Sequence, residues 1–315
     1  GYKNPFTHQF TLGYQLQIDQ SSLFYVDLVH NEARDLFRLR NLNAAAEFPI
    51  DSNFTQDDVR TAAEADLSRP IPIENGGATI NGERLTGIAR SVVITESEGR
   101  SRYSALSLNY QKDRGEGMFG YRFNYTLSSS KNDTEGINFR AMDGNNYDLE
   151  FGPSINDRTH LINAIGSLYP VKGLSVTLAG LLQSGQPINR IPNTTIVTSD
   201  FEQFLTRDLN GDGTGFGENF TGNSDRSPGE SRNSDRLPWS YTFDLAAQYQ
   251  FELSKGNKIE LRADVFNLFN NVNLSGFSNN ATQSNQIQEG PADSGFIARN
   301  AAPPRQFQFS ARYLF

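Results

Sequence analysis

The segment whose residue types and spacing come nearest to chemistry is Asp208-x-Asn210-x-Asp212-Gly213-Thr214. Oxygen ligands at alternate positions around a mid-loop glycine match the start of a calcium-binding loop. Oxygens without nitrogen or sulfur select a hard cation. The twelfth position is Asn219 rather than a bidentate Glu, with Glu218 one residue early. The same residues also suit an Asx turn in a solvated loop, and both readings stand at this point. Catalytic constellations are absent: there is no Gly-x-Ser-x-Gly, His-Glu-x-x-His or phosphate-cradling Gly-Lys-Ser/Thr. His8, His30 and His160 fall on separate segments and read as wall or rim residues, so the sequence argues against an enzyme. The aromatics Phe201, Phe204, Phe216 and Phe220 sit in a long polar loop, where they could stack against a captured solute.

Composition narrows what could position these groups. Lys+Arg total 28 against Asp+Glu 36, for a net charge of −8. A nucleic-acid partner calls for a basic face, so none is expected. A mean hydropathy of −0.54 and the lack of any long apolar run exclude helical membrane spans. Yet the chain carries 23 Phe and 12 Tyr against one Trp, an aromatic content unusual for so hydrophilic a protein. Without cysteine, disulfides and thiolate metal sites are excluded.

The aromatics alternate. In the last segment Phe307, Phe309, Ala311, Tyr313 and Phe315 share one parity, and Gln306, Gln308, Ser310 and Arg312 the other. Successive side chains of a strand point to opposite faces, so this strand is aromatic on one side and polar on the other. The same period of two runs through Phe6–Ile18, Leu23–Arg38, Arg102–Lys112, Met118–Ser128, Thr159–Tyr169, Leu174–Ser184, Trp239–Phe251 and Lys258–Phe269. Parity is ambiguous only in Thr159–Tyr169. On the polar parity lie Arg122, Asp244, Glu260, Arg262, Asp264 and Arg312, which suit a lumen contact or a salt-bridged wall. Tyr14, Tyr110, Tyr169, Tyr249, Phe251 and Tyr313 suit an interfacial girdle.

About nine strands are therefore expected, joined alternately by short turns and by long polar loops near 41–100, 129–157, 185–237 and 271–303. One short helix is expected at Asp57–Leu67 with Thr55 as its N-cap. Loops that long argue against a compact soluble domain. They match an outer-membrane barrel, with short periplasmic turns, long extracellular loops and a lipid-facing parity. The expected fold is all-β: an antiparallel transmembrane β-barrel fragment whose outer face meets outer-membrane lipid. Gly1-Tyr2-Lys3-Asn4-Pro5 begins without an initiator Met, and an odd strand count places it outside the cell. Residues 1–315 are accordingly expected to be the C-terminal part of a longer barrel.

Asp264-Val265-Phe266-Asn267-Leu268-Phe269-Asn270-Asn271-Val272-Asn273, followed later by Pro304-Arg305-Gln306-Phe307, resembles the end of a TonB-dependent outer-membrane receptor. Glu98–Leu106, Asn156–His160 and Asp208–Gly213 resemble the Oar-like subgroup, which carries a carboxypeptidase-regulatory-like domain. The resemblance implies the last nine strands of a roughly 22-stranded, plugged barrel. It also implies a plug and a TonB-contacting segment upstream, energy-coupled uptake of a large or scarce solute, and capture by the extracellular loops. An aromatic terminus such as Phe307, Phe309, Tyr313 and Phe315 resembles the signal read by the barrel assembly machinery. A non-transporting surface binder and a passive porin remain the alternatives. The Asp264–Asn273 motif itself is expected to fix local strand and loop structure rather than to touch solute.

Overall fold

The computed structural model describes residues 2–48, 60–87, 90–191, 195–198, 201–205, 211–213, 225–226, 230–253, 256–278, 286–288, 297–301 and 303–315. Side chains are described throughout these ranges except in 190–205 and 274–301.

Nine long strands form the wall: β1 (Phe6–Asp19), β2 (Ser22–Asn41), β3 (Val93–Lys112), β4 (Phe119–Asn132), β5 (His160–Leu168), β6 (Leu174–Gln183), β7 (Ser240–Glu252), β8 (Lys258–Phe266) and β9 (Gln306–Leu314). Each pairs antiparallel with its neighbours in sequence, so the sheet order is the chain order. A meander satisfies the ladder hydrogen bonds of every interior strand without crossovers, as a lipid environment demands. β1 and β9 are the two sheet edges and do not pair with each other, so these nine strands form an open wall rather than a closed barrel.

The register carries one parity across the whole sheet. Starting from Leu16, cross-strand neighbours run Phe24, Tyr110, Phe123, Ala164, Gly180, Phe243. Starting from Phe307, they run Val265, Leu245, Leu178, Gly166. This continuous apolar face leaves Phe309 77% exposed and Phe10 61% exposed, surface that lipid rather than protein covers. The opposite face carries Gln, Asn, Ser, Thr and charge. Register with β4 and β6 settles the parity of β5: Ile162, Ala164, Gly166 and Leu168 point outward, and Asn163, Ile165 and Ser167 inward.

The polar face is internally paired. Glu260 sits opposite Arg312 and accepts from Gln248 Nε2 at 2.8 Å. Arg262 donates to both carboxylate oxygens of Asp264, from Nε at 2.9 Å. These contacts favour the salt-bridged wall for Glu260, Arg262 and Asp264. Aromatics mark both borders of the apolar face. Tyr249 and Phe251 meet edge to face at 4.5 Å at one end, and His160 stacks between Tyr125 and Trp239 at the other. Tyr14 is the exception to the expected girdle: it lies in mid-sheet beside Val26, whose other neighbour is Leu108.

Three expectations require correction. The helix is Ala62–Leu67, capped by Thr61 rather than Thr55. Thr61 and Glu64 form a reciprocal capping box, which satisfies two amide groups at once. Strand β3 begins at Val93, nine residues before the sequence expectation, because its outer part rises above the apolar band and loses the alternation. Strand β8 stops at Phe266 rather than Phe269, because Asn267 turns the chain at φ +51°.

Candidate functional site

All four long connections leave from the same end of the sheet, the end opposite the turns near residues 20, 115, 171 and 255. By the rule of short periplasmic turns, this is the extracellular end. There β2 and β3 outrun their neighbours. The register slips twice between Ala33 and Phe37, and Asp35 takes a positive φ of 56°. Such a bulge bends a strand and re-aims its side chains. Gly99 faces it, where a Cβ would meet the Leu36 carbonyl at 2.8 Å and Thr134 at 2.9 Å.

The re-aimed residues and the 133–150 segment enclose a cleft of about 1020 Å³ lined by Tyr2, Phe37, Arg38, Arg40, Glu96, Glu98, Arg100, Asp133 and Tyr147 among others. Small-molecule sites run to about this size. Arg38 donates to Glu96 at 2.7 Å and Asp133 at 3.0 Å, and its guanidinium lies 3.8 Å over the Tyr147 ring. Arg100 reaches Asp148 at 2.7 Å and lies 4.6 Å over Phe151, while its backbone amide donates to Asp133 at 2.8 Å. Tyr2 stacks on Phe37 with ring centroids 5.6 Å apart. Burial pushes the Asp133 carboxyl above its ordinary value, against the pull of the Arg100 amide and of both guanidinium groups. The folded state thus holds the Asp133 proton more tightly than the unfolded one, and this corner loses stability as pH rises through that titration. Burial likewise pushes the Tyr147 hydroxyl up to about 12, so it stays a hydrogen-bond donor, to the Leu39 carbonyl. Aromatic faces beside charges of both signs suit a polar solute with several functional groups better than a bare ion.

Beyond the cleft the described loop residues pack into a layer. Glu150 is wholly buried, with Arg226 at 2.9 Å and Arg232 at 3.7 Å. Arg232 also binds Glu135 and the Asn132 carbonyl and lies 5.1 Å from the Phe139 ring centroid. Arg236 pairs with Asp157, whose other oxygen accepts from the Ser130 amide at 2.6 Å. The 187–191 strand pairs with 235–236 on one side and 286–288 on the other. A tight hairpin occupies 77–86. The helix is tied in through Asp66, which binds Arg69 at 3.0 Å.

Of the residues singled out in the sequence, Asp208, Asn210, Thr214, Phe216 and Phe220 lie outside the described residues. So do the side chains of Phe201 and Phe204, whose backbone forms a strand with 195–198. Asp212 is buried, and its carbonyl accepts from Arg69 Nη2 at 2.8 Å. Gly211 and Gly213 flank it at φ +67° and +90°, so the described part is a turn docked on the helix. Among the described residues, no group of three His, Cys, Asp or Glu is placed to hold a metal. Phe307, Phe309 and Tyr313 stand on the outward face opposite Val265, Ala263 and Ile259, with Phe315 fully exposed beyond them.

The Asp264–Asn273 motif closes the extracellular rim of the wall. Asn267 donates its amide to Asp244 at 2.8 Å and its Nδ2 to the Asn271 and Pro303 carbonyls, while its Oδ1 takes the Asn271 amide. Asn273 brackets Tyr241, taking its amide at 2.8 Å and donating to its carbonyl at 2.8 Å. Asn270 holds Arg305 at the entry to β9. Asp244 is thus a rim anchor as well as a lumen residue. Phe243 lies near the rim rather than in mid-strand, edge-on to Phe269 at 5.3 Å and over Gly180, where a Cβ would meet its ring at 2.7 Å. The cleft residues Arg38, Arg100 and Tyr147 carry no periodic or spacing signal that would have marked them.

An open antiparallel wall, apolar outside and polar inside, with all long loops at one end, defines a transmembrane β-barrel protein of the bacterial outer membrane. The chain belongs to the outer membrane beta barrel domain family, whose model matches residues 1–308. None of the curated proteins compared matches it. Among solved structures, it is similar to the outer membrane transporter YddB from Escherichia coli, at 11% identity and a TM-score of 0.46 over 99% of this chain and 33% of that one. It is also similar to the siderophore receptor PiuA from Acinetobacter baumannii, at 10% identity and a TM-score of 0.41 over 96% of this chain and 35% of that one. The chain spans about a third of the length of these two proteins.

Proposed function

We propose that residues 1–315 form the C-terminal wall of a TonB-dependent receptor that captures a large or scarce solute in its extracellular loops. The observation that carries this reading is the cleft of about 1020 Å³ at the loop end, held by the ion-paired layer around it. Loops on a rigid scaffold are where binding residues concentrate. In this reading the open edges β1 and β9 meet further strands of the same barrel, of roughly 22 strands in all. A plug and a TonB-contacting segment elsewhere in the protein couple uptake to energy. The barrel assembly machinery reads the aromatic terminus ending at Phe315.

The test replaces Tyr2, Arg40 and Glu98, exposed residues of the cleft lining, by Ala. The membrane-inserted receptor should keep its surface level but lose solute-limited growth. Growth is compared with the parent on limiting iron–siderophore, oligosaccharide and peptide sources, with and without a protonophore. Undiminished growth on the source for which the parent depends on the receptor would place capture away from this cleft.

Calcium at Asp208, Asn210, Asp212 and Thr214 is a separate proposal, resting on ligand spacing. The Arg69 guanidinium on the Asp212 carbonyl brings a positive charge close and weighs towards the plain turn. Millimolar calcium should slow proteolysis within 208–219, and Asp208→Ala should abolish the protection. Cleavage that ignores calcium would leave the turn alone.

A further inference from the structure

The extracellular layer carries the same dipeptide twice within residues 75–82, as Asn75-Gly76 and Asn81-Gly82, each at the centre of a two-residue turn. All four residues take positive φ, +47° and +71° in the first turn and +53° and +82° in the second. That is the backbone of a type I′ turn, which Asn-Gly suits best. The two turns differ in what holds them shut. Around Asn75, the Glu74 and Gly77 backbones exchange hydrogen bonds at 2.8 and 3.0 Å, and the Gly87 amide donates to the Gly76 carbonyl at 3.0 Å. Arg84 Nη2 also donates to the Glu74 carbonyl at 2.8 Å. The chain leaves this turn into Gly77 and Ala78, both buried. Asn81 sits instead at the free end of the hairpin made by Gly77–Ile80 and Glu83–Thr86, a two-stranded sheet by itself. The pair that closes its turn is Ile80 and Glu83, and residues 79–87 are all exposed.

We propose that Asn81 is a site of spontaneous conversion to aspartate and isoaspartate in the folded protein, and that Asn75 is protected by its turn. In the first step the Gly82 backbone nitrogen attacks Asn81 Cγ. An N–Cγ bond forms, the Cγ–Nδ2 bond breaks, and ammonia leaves with the amide proton. Water then opens the cyclic imide at either carbonyl, so no oxidant, reductant or further co-reactant is needed. Glycine in the following position has no Cβ to hinder the approach. In both turns the attack requires rotation out of the turn conformation, so its rate follows how readily each turn opens. Opening at Asn81 breaks one exposed residue pair at the tip of a two-stranded hairpin, an arrangement of marginal stability in water. Opening at Asn75 disrupts the Glu74–Gly77 exchange, the Gly87 bond and the Arg84 anchor together. Conversion places a carboxylate two residues from Glu83, and isoaspartate lengthens the backbone by a methylene that the turn has no room for. This chemistry is independent of what the cleft binds.

The experiment incubates the membrane-inserted protein in heavy-oxygen water at mildly alkaline pH. Tandem mass spectrometry of the digested protein follows Asn75 and Asn81, with isoaspartate resolved by chromatography. Heavy oxygen marks conversion during the incubation and sets aside any that preceded it. In the folded protein Asn81 should convert faster than Asn75 by on the order of tenfold. In the urea-unfolded chain, where neither turn exists, the two should convert at comparable rates. Equal rates in the folded protein would overturn the proposal, by showing that the turns do not set the reactivity. Conversion confined to the unfolded chain would also overturn it, by making both turns protective.

Discussion

Replacing Leu178 by Arg should destabilise the membrane-inserted protein by about 2–4 kcal/mol, the cost of a cation on the lipid face near the bilayer midplane. Leu178 is the middle outward residue of β6, between Leu245 on β7 and Gly166 on β5, and is 42% exposed. The control is Gln250→Arg on the inward face, where the new guanidinium would stand directly opposite Glu260. That change should stay within about 0.5 kcal/mol, as for a substitution away from buried features. Urea titration of folding into lipid vesicles measures both. Equal losses would mean that the two faces do not see different solvents, and the wall would have to be read as a soluble sheet. Phe243, which the alternation places on the same face, is a poorer probe. It lies near the rim against Phe269, so its loss mixes aromatic packing with lipid exposure.

Glu150→Ala should cost the extracellular layer about 3–5 kcal/mol, because it strips the shared carboxylate from two buried guanidinium groups. Arg226 and Arg232 are each 2% exposed, so neither can turn to water without opening the layer. The Met142 amide, which donates to Glu150 at 2.7 Å, loses that acceptor as well. The loss should be local: hydrogen exchange and proteolysis should accelerate across residues 133–157 while the folded yield of the wall is unchanged. Glu150→Gln keeps one acceptor oxygen, which the Met142 amide and Arg226 can share, but removes the charge, and should fall between parent and alanine. Unchanged exchange in the alanine variant would show that Glu135 alone suffices for Arg232 and that the layer does not depend on the central carboxylate.

The wall was legible in the sequence wherever both faces of a strand meet different solvents. Inside the bilayer band the boundaries of β1, β5, β6, β7 and β9 came out within a residue or two. Alternation failed where that difference ends. Val93–Ser101 rises into the loop layer, where both faces touch protein or water, so charged residues such as Glu96, Glu98 and Arg100 obscure the strand. The helix cap is present in the sequence as Thr61-x-x-Glu64, but Thr55 offers the same N-cap residue type six residues earlier. Asn267 ended β8 early for a conformational reason that hydrophobic patterning does not encode.

The cleft and the layer lay beyond reach for a different reason. Arg38 meets Asp133 across 95 residues, Arg232 meets Glu135 across 97, and Arg226 meets Glu150 across 76. Which of the loop charges are buried, and with which partner, depends on how separate connections settle against one another. The sequence by itself determined the lipid-facing parity of every strand but β5, the strand order and the side that bears the loops. These follow from the transfer free energy of each side chain and from local chain geometry. Only the tertiary structure decided which arginines build the layer, which residues line its cleft and that the asparagine motif seals the rim. Desolvation and pairing are properties of neighbours that the chain brings together from far apart.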